Sequence, residues 1–466
     1  VKIILNLMDD FVTWKNMAFL TDLYQLTMCA AYFEEGRDER ASFELFIRDM
    51  PPRRSYLVAA GLESVLDYLE HARFPPEALE YLQAKRLFTE QFLEYLARFR
   101  FTGTLHAIPE GTLVFPNEPL LRVTAPIIEA QLAETYLLNA VNFPTMVASK
   151  AARIVYAAEG KQVVDFSLRR THGTDAGMKV ARASYLAGCA GTSNVLAGMK
   201  YRIPIYGTMA HSYIMFHERE QDAFEAYARV FPGSTILLID TYDTVEGARR
   251  SVPVAKALEL QGKQLHGVRL DSGDLAALSR AVRALLDQNG LEYVQIMASG
   301  NLDEFKIEQL RAQGAPIDSF GVGTAMGTSQ DAPVVNVNYK LVEVEGPAGE
   351  YRPVMKLSAG KITLPGPKQV YRVLKKGEYA YDLIALSTEE LEKMEEPATT
   401  LLAQYMVRGR VLRRESLETI RNRVAENLLR LPARYKKLTP AKYPVKISPL
   451  LAALSQELTT AYTPGA

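Results

Sequence analysis

A histidine set among small and hydroxylic residues, in the stretch Tyr206-Gly207-Thr208-Met209-Ala210-His211-Ser212, has three chemistries open to it: metal ligation, proton transfer and nucleophilic attack. Each needs different companions. The chain offers them in a series of short loops that follow apolar runs. Arg169, Arg170 and His172 follow QVVDF, and Thr208, His211 and Ser212 follow RIPIY. Asp240 ends TILLID and Tyr242 and Asp243 follow it, while Arg269, Asp271 and Asp274 lie in VRLDSGDL. Ser299-Gly300-Asn301 closes YVQIMA, and Gly321, Gly323 and Thr324 belong to GVGTAMGTS. Neither GxxxxGK[ST] nor GxSxG occurs at any of these positions, and HEREQ after Phe216 is not HExxH, so a P-loop ATPase, an α/β-hydrolase and a zincin site are unsupported.

Taken singly, these residues have ordinary structural readings. Adjacent arginines such as Arg169 and Arg170 are usually surface charges. Asp271 and Asp274 can cap the helix that LAALSRAVRALL predicts, and for Asp274, immediately before it, capping and ligand binding stand even. Glycine turns need no ligand to explain them. A histidine at a strand end is most often a hydrogen-bonded structural residue. The joint reading differs, because six consecutive units would have to collect cations, carboxylates and glycine turns at the same end by accident. That set suits a phosphorylated sugar. Glycine loops at helix N-termini present N–H groups to phosphate, and arginines add bidentate contacts. The carboxylates of LIDTYDT and LDSGD can hold Mg²⁺ or accept hydrogen bonds from ribose hydroxyls.

Such residues must be positioned by a repeated βα unit. From Gly160 to Thr328, β-rich runs alternate with polar loops and helical stretches, which predicts an α/β fold with a parallel sheet. A doubly wound sheet and a (β/α) barrel both satisfy the pattern. The irregular barrel is preferred because the reactive residues follow the strand in every unit, although open sheets also bind ligands there. Residues 146–335 are assigned to this catalytic barrel. Residues 1–145 read as an N-terminal α+β domain, helical in TDLYQLTMCAAYF and EALEYLQAKRLFTEQFLEYLARF and strand-like in TGTLHAIPEGTLVFPNEPLLRVTAP. Residues 336–466 complete that α+β domain with VVNVNYKLVEV, KQVYRV, YDLIAL and the amphipathic helix in RRESLETIRNRVAENLLRL. The flanks are expected to pack together around the barrel.

Composition sets the outer bounds. Across 466 residues, 48% hydrophobic and 23% charged, the chain has the balance of a soluble globular protein. Its 54 basic and 54 acidic residues cancel, which argues against a general nucleic-acid surface and for a small ligand. Cys29 and Cys189 are far apart and form neither a disulfide framework nor a zinc motif, so a reducing cytoplasm is expected. Asp9 and Asp10 interrupt the apolar VKIILNLMDDFV before a signal or membrane span is complete, and no targeting segment is read there. The pattern becomes well formed only at Met17, so the residues before it read as a variable or misassigned extension.

In order along the chain, TDLYQLTM, DFSLRRTHGTDAG, YGTMAHSY, LLIDTYDT, GVRLDSGDL, MASGNLDE, GVGTAMGTS and PVMKLSAGKITLPGPKQVYR together resemble the nicotinate phosphoribosyltransferases. The resemblance runs from about Thr21 to Arg372. It implies a type II phosphoribosyltransferase that forms nicotinate mononucleotide and diphosphate from nicotinate and 5-phosphoribosyl 1-diphosphate, with ATP as co-substrate and Mg²⁺ as cofactor, in NAD salvage. Carried over by motif, His211 matches a histidine phosphorylated by ATP; Tyr24, Thr208 and Arg269 match nicotinate contacts, and Thr324 a phosphate contact. Phe166 and Arg169 fall where the family stacks on and charge-pairs the pyridine carboxylate. Together with the strand-end reading this gives His211, Arg269 and Asp271 as catalytic residues, and Tyr24, Phe166, Arg169, Thr208, Ser212 and Asp240 as further substrate contacts. Ser299, Gly300, Asn301, Gly321, Gly323 and Thr324 form the phosphate loops, and Asp271 with Asp274 the Mg²⁺ position. A homodimer with shared sites is implied, with no membrane or nucleic-acid partner. The nearest alternatives are nicotinamide or quinolinate phosphoribosyltransferases of the same fold, a phosphosugar barrel enzyme such as an aldolase or isomerase, and a non-catalytic nucleotide sensor.

Overall fold

The computed structural model describes residues 12–358, 360–390 and 396–463; residues 1–11 of the apolar N-terminal stretch lie outside them. Two compact units divide the chain, Val147–Pro333 on the one hand and Val1–Met146 with Val334–Ala466 on the other.

In Val147–Pro333, six parallel strands form one sheet in the order Gly191–Thr192, Gln162–Asp165, Ser319–Val322, Gln295–Ala298, Gly267–Leu270, Ile236–Leu238. Taken in chain order from Gln162–Asp165, each strand except Ile236–Leu238 neighbours its predecessor, and Ser319–Val322 closes back on the first, as in a barrel. A single parallel bridge from Thr192 to Ile205 extends the sheet by one position. Among the described residues no ladder joins Ile205 to Ile236–Leu238, so the barrel is open there. This departs from the sequence reading in one unit. RIPIY supplies a bridge where a strand was expected, because Pro204 has no N–H to donate to a ladder. The strand beside it is the two-residue Gly191–Thr192, too short to show periodicity. The remaining strands are nearly continuous in burial, as parallel strands covered on both faces must be. Val268, Ile296 and Phe320 are buried in them, each stabilising the unit by about 1.5–3 kcal/mol. Helices Thr174–Leu186, Glu220–Val230, Thr244–Glu259, Leu275–Gln288 and Glu304–Ala312 follow the predicted stretches. Short helices at Val195–Tyr201 and His211–Phe216 were not anticipated.

The other unit interleaves both flanks. Its seven-stranded antiparallel sheet runs Tyr351–Pro353, Val337–Glu345, Arg40–Ile47, Pro119–Pro126, Thr104–Ala107, Ala403–Val407, Arg410–Val411. Register is fixed across the flank junction, with Leu45 opposite Tyr339 and Phe46 opposite Asn338. A four-stranded sheet, Ala398–Thr400, Lys368–Lys375, Glu378–Leu386 and Val445–Ile447, belongs wholly to the later flank. The long helical stretch after Pro75 is two helices, Pro76–Lys85 and Glu90–Ala97. Arg86 takes a left-handed φ of 56° between them, and the Thr89 hydroxyl accepts from Phe92 N at 3.3 Å to cap the second. No helix among the described residues is long and apolar enough to cross a membrane.

Candidate active site

The residues singled out by type converge at the C-terminal ends of the parallel strands. Arg269, third in Gly267–Leu270, reaches sideways and donates from Nη1 to the Thr208 hydroxyl at 2.5 Å, which joins two loops that are 61 residues apart. Its Nε is buried and has no hydrogen-bond partner among the described residues. Burial holds this guanidinium below its ordinary pKa; Asp271 and Asp240 pull it back up, and Arg169 adds to the decrease. Arg169, exposed in the turn Leu168–Arg170, is therefore near enough to Arg269 to repel it. A buried guanidinium with one donor unsatisfied, its charge reinforced by Arg169, offers a place for an anion.

Carboxylates tie the next loops in sequence. Asp240 accepts at Oδ2 from Asp271 N at 2.9 Å and Ser272 Oγ at 2.7 Å, while its Oδ1 is buried without a hydrogen-bond partner among the described residues. The Ser299 hydroxyl donates to Asp271 Oδ1 at 2.5 Å, and Ser299 N donates to the Leu270 carbonyl at 2.8 Å. Gly300 has φ +90° and lies so close to this strand end that a Cβ would stand 1.8 Å from the Asp271 carbonyl oxygen. A Cβ at Gly321 would stand 2.4 Å from the Phe166 ring and 3.3 Å from Ser299 Cβ. Phe166 thus lies over Gly321 beside the serine loop, held by a 2.9 Å bond from its N to the Val322 carbonyl.

His211 opens the helix His211–Phe216, and its Nδ1 lies 3.1 Å from the Thr241 hydroxyl. In the tautomer in which Nδ1–H donates to Thr241, Nε2 carries the free lone pair. Ser212 is the next residue of that helix and is exposed. Gly323 precedes the short helix Thr324–Gly327, which Thr324 begins. Asn301 takes a left-handed φ of 49°, and its carbonyl accepts from Lys306 Nζ at 2.8 Å.

Two aspartates have structural roles. Asp243 caps Thr244–Glu259 through Glu246 N at 2.8 Å. Asp274 Oδ1 accepts from both Ala276 N and Ala277 N at 3.1 Å, so of its two sequence readings the cap is the one observed. Asp274→Ala is expected to cost about 1 kcal/mol of stability, the loss of a helix N-cap, as read by thermal melting; an unchanged melting temperature would remove the capping role. Tyr24 belongs to the other unit, as second residue of Leu23–Glu34, and is 48% exposed.

Three contributors escaped the sequence reading. Thr241, between the singled-out Asp240 and Tyr242, partners His211. Tyr227 reaches from Glu220–Val230 to within 3.4 Å of the Thr208 carbonyl. Asp165 is buried at the end of the first strand, accepting from Ser167 N at 2.9 Å and Ser167 Oγ at 2.5 Å, and from Thr192 Oγ1 at 2.7 Å. Burial raises its pKa against those three bonds. It knots the loop that carries Phe166 and Arg169, and the Asp-x-Ser spacing was the available signal.

A parallel barrel with paired cations, open carboxylate oxygens and close-packed glycine loops at its strand C-termini is the architecture of an α/β-barrel enzyme. Comparison with known proteins narrows the class. The nicotinate phosphoribosyltransferase (NAPRTase) N-terminal domain matches residues 19–142, the NAPRTase family residues 161–363, and its C-terminal domain residues 394–455. Nicotinate phosphoribosyltransferase pncB2 of Mycobacterium tuberculosis (strain ATCC 25618 / H37Rv) is 47% identical over 435 residues, covering 92% of this chain and 91% of the relative. The Bacillus subtilis (strain 168) nicotinate phosphoribosyltransferase is 39% identical, with 93% of each covered. The crystal structure of human nicotinic acid phosphoribosyltransferase superposes with a TM-score of 0.83 at 30% identity, over 94% of this chain and all of that one. The chain belongs to the nicotinate phosphoribosyltransferase family.

Proposed function

We propose that this chain is a nicotinate phosphoribosyltransferase of NAD salvage that converts nicotinate and 5-phosphoribosyl 1-diphosphate to nicotinate mononucleotide and diphosphate. The observation that carries the reading is the buried, incompletely bonded Arg269 beside Arg169. A nicotinate carboxylate supplies a charged acceptor for the Arg269 Nε that has none, whereas a nicotinamide amide brings no charge to it. In the reaction the pyridine nitrogen donates its lone pair to ribose C1, and the C1–O bond breaks with its electrons leaving on diphosphate. Nothing is deprotonated, so the residues serve by positioning and by matching charge. Phe166 offers a ring for the pyridine, Thr208 is pinned by Arg269, and the glycine loops leave room for backbone to approach phosphate.

The family implies Mg²⁺, and the donor set is compatible with it. Asp240 Oδ1 is a buried oxygen with no hydrogen-bond partner among the described residues, and Asp271 stands beside it. Mg²⁺ takes one or two carboxylates and completes its shell with water and substrate phosphate. Bound there, the ion would neutralise charge developing on the diphosphate. Asp240 also accepts from Asp271 N and Ser272, which fixes the loop that presents both carboxylates.

ATP coupling runs through His211. Its Nε2 attacks the γ-phosphorus, the bond to the bridging oxygen breaks, and ADP leaves with the electron pair. The phosphoryl group adds charge and acceptor oxygens beside Thr208 and Ser212. The position of His211 Nδ1 against Thr241 supports this assignment by leaving Nε2 available. The active form is a homodimer in which Tyr24 serves a shared site, and the enzyme works in the cytoplasm. The test is formation of the corresponding pyridine mononucleotide from nicotinate, nicotinamide and quinolinate, each with and without ATP, with acid-labile phosphate followed on the protein. His211→Ala is expected to keep slow phosphoribosyl transfer, lose the labelled phosphate and lose stimulation by ATP. Full stimulation in that variant sinks the phosphohistidine, and preference for nicotinamide sinks the substrate.

A further inference from the structure

We infer that Lys150 is a positioning residue that sets the separation of the two phosphate loops, at 299–301 and 321–324, from behind. The inference rests on the function proposed above. Lys150 is 2% exposed, and its ammonium contacts Glu304 Oε2 at 2.5 Å and Asp331 Oδ1 at 2.8 Å. Arg153, one helical turn on, is also 2% exposed and contacts Glu304 Oε1 at 3.1 Å. Two cations and two carboxylates, all but Asp331 almost wholly withdrawn from water, make a charge-balanced set joined by these contacts.

The carboxylates are attached where the loops end. Glu304 begins the helix Glu304–Ala312, three residues beyond Asn301. The link between them is stiff. Asp303 caps that helix through Lys306 N at 2.9 Å, and Lys306 Nζ returns to the Asn301 carbonyl at 2.8 Å. Asp331 follows Thr324 through an equally bonded stretch: Gly327 N donates to Gly323 O at 3.0 Å, Gln330 N to Ala325 O at 3.1 Å and Ala332 N to Ser329 O at 2.8 Å. A shift of either carboxylate is therefore passed to its loop. Lys150 bridges the two carboxylates directly; Arg153 reaches only Glu304 in these contacts.

Stability alone gives a weak reason for such a set. Taking ions out of water costs much of what their attraction returns, and apolar residues of similar volume often do as well. What apolar packing lacks is a fixed distance between two points. A sugar phosphate gripped by both loops needs that distance held, because small misplacements of a binding group are costly in rate.

The experiment compares Lys150→Met with the wild type in steady-state kinetics for both substrates, together with thermal melting. KM for 5-phosphoribosyl 1-diphosphate is expected to rise about tenfold and KM for nicotinate by a clearly smaller factor, since both loops grip the sugar phosphate while the pyridine meets only Phe166 over Gly321. Lys150→Arg, which keeps both ties, should recover most of the loss. Asp331→Asn, at a side chain 16% exposed, reduces one tie to an uncharged hydrogen bond should the methionine variant fail to fold, and should raise the same KM by a smaller factor. A lower melting temperature with both KM values unmoved, or an equal rise in both, overturns the positioning role. Absence of nicotinate mononucleotide formation by the wild type overturns the proposed function instead, so the two failures are told apart.

Discussion

Arg269→Ala is expected to lower kcat/KM for nicotinate about a hundredfold or more, the order of effect seen when one partner of a buried charge pair is removed. Three features of the site set that size. The guanidinium is largely withdrawn from water, with Nε unsatisfied, so a carboxylate placed against it gains a charge-assisted bond in a medium that screens little. Its Nη1 also orients Thr208, so the same substitution frees a second contact. Arg169 cannot compensate fully, because it is exposed and its field is screened. Arg269→Lys keeps the charge but loses the planar fork, and should fall between the alanine variant and the wild type. The deciding readout is the ratio of kcat/KM for nicotinate to that for nicotinamide, whose ring is the same and whose substituent is neutral. A collapse of that ratio places the carboxylate at Arg269. An equal loss for both pyridines would move Arg269 to the sugar diphosphate.

The reason Arg269 can be singled out from sequence is that barrel chemistry sits at strand C-termini, and LHGVRLDSGD is one of six units that collect polar residues there. The same logic reaches Asp271, Ser299 and Gly321. It stops where a residue acts through a partner remote in sequence. Thr241 is one hydroxyl among several until His211 lies 3.1 Å away. Lys150 stands in a helical stretch where a lysine normally faces water, and only the arrival of Glu304 and Asp331 makes it a buried ion. Pro204 is visible in RIPIY, yet the high β propensity of an apolar run outweighs it. The ladder depends on the missing N–H, which propensity does not count. The long antiparallel sheet is legible as strands but not as a pairing, since Arg40–Ile47 and Val337–Glu345 are joined by register rather than by any local signal.

Gly300→Ala should show how tightly the phosphate loop is seated. Two penalties act at this position, and they can be separated. A left-handed backbone, φ +90°, costs an L residue about 1–2 kcal/mol, and that cost would apply to alanine anywhere with such a φ. The second is collision: the added carbon would lie 1.8 Å from the Asp271 carbonyl oxygen, a backbone atom that cannot rotate away. Relief requires the 299–301 loop to back off the end of Gly267–Leu270, which pulls Ser299 from Asp271 Oδ1 and from the Leu270 carbonyl. Gly314 supplies the control, with φ +65° and nothing within 4 Å of where an added methyl would stand, so Gly314→Ala carries the strain without the collision. That variant should lose about 1 kcal/mol, or roughly 2–4 °C in Tm for a unit of this size, and keep its activity. Gly300→Ala should lose about 3 kcal/mol or more and reduce nicotinate mononucleotide formation by over tenfold, because the residues it displaces are those that hold Asp271 and the phosphate loop in register. Equal melting temperatures for the two variants, with Gly300→Ala still active, would mean that the loop can retreat without consequence and that its close approach to the strand end has no part in binding.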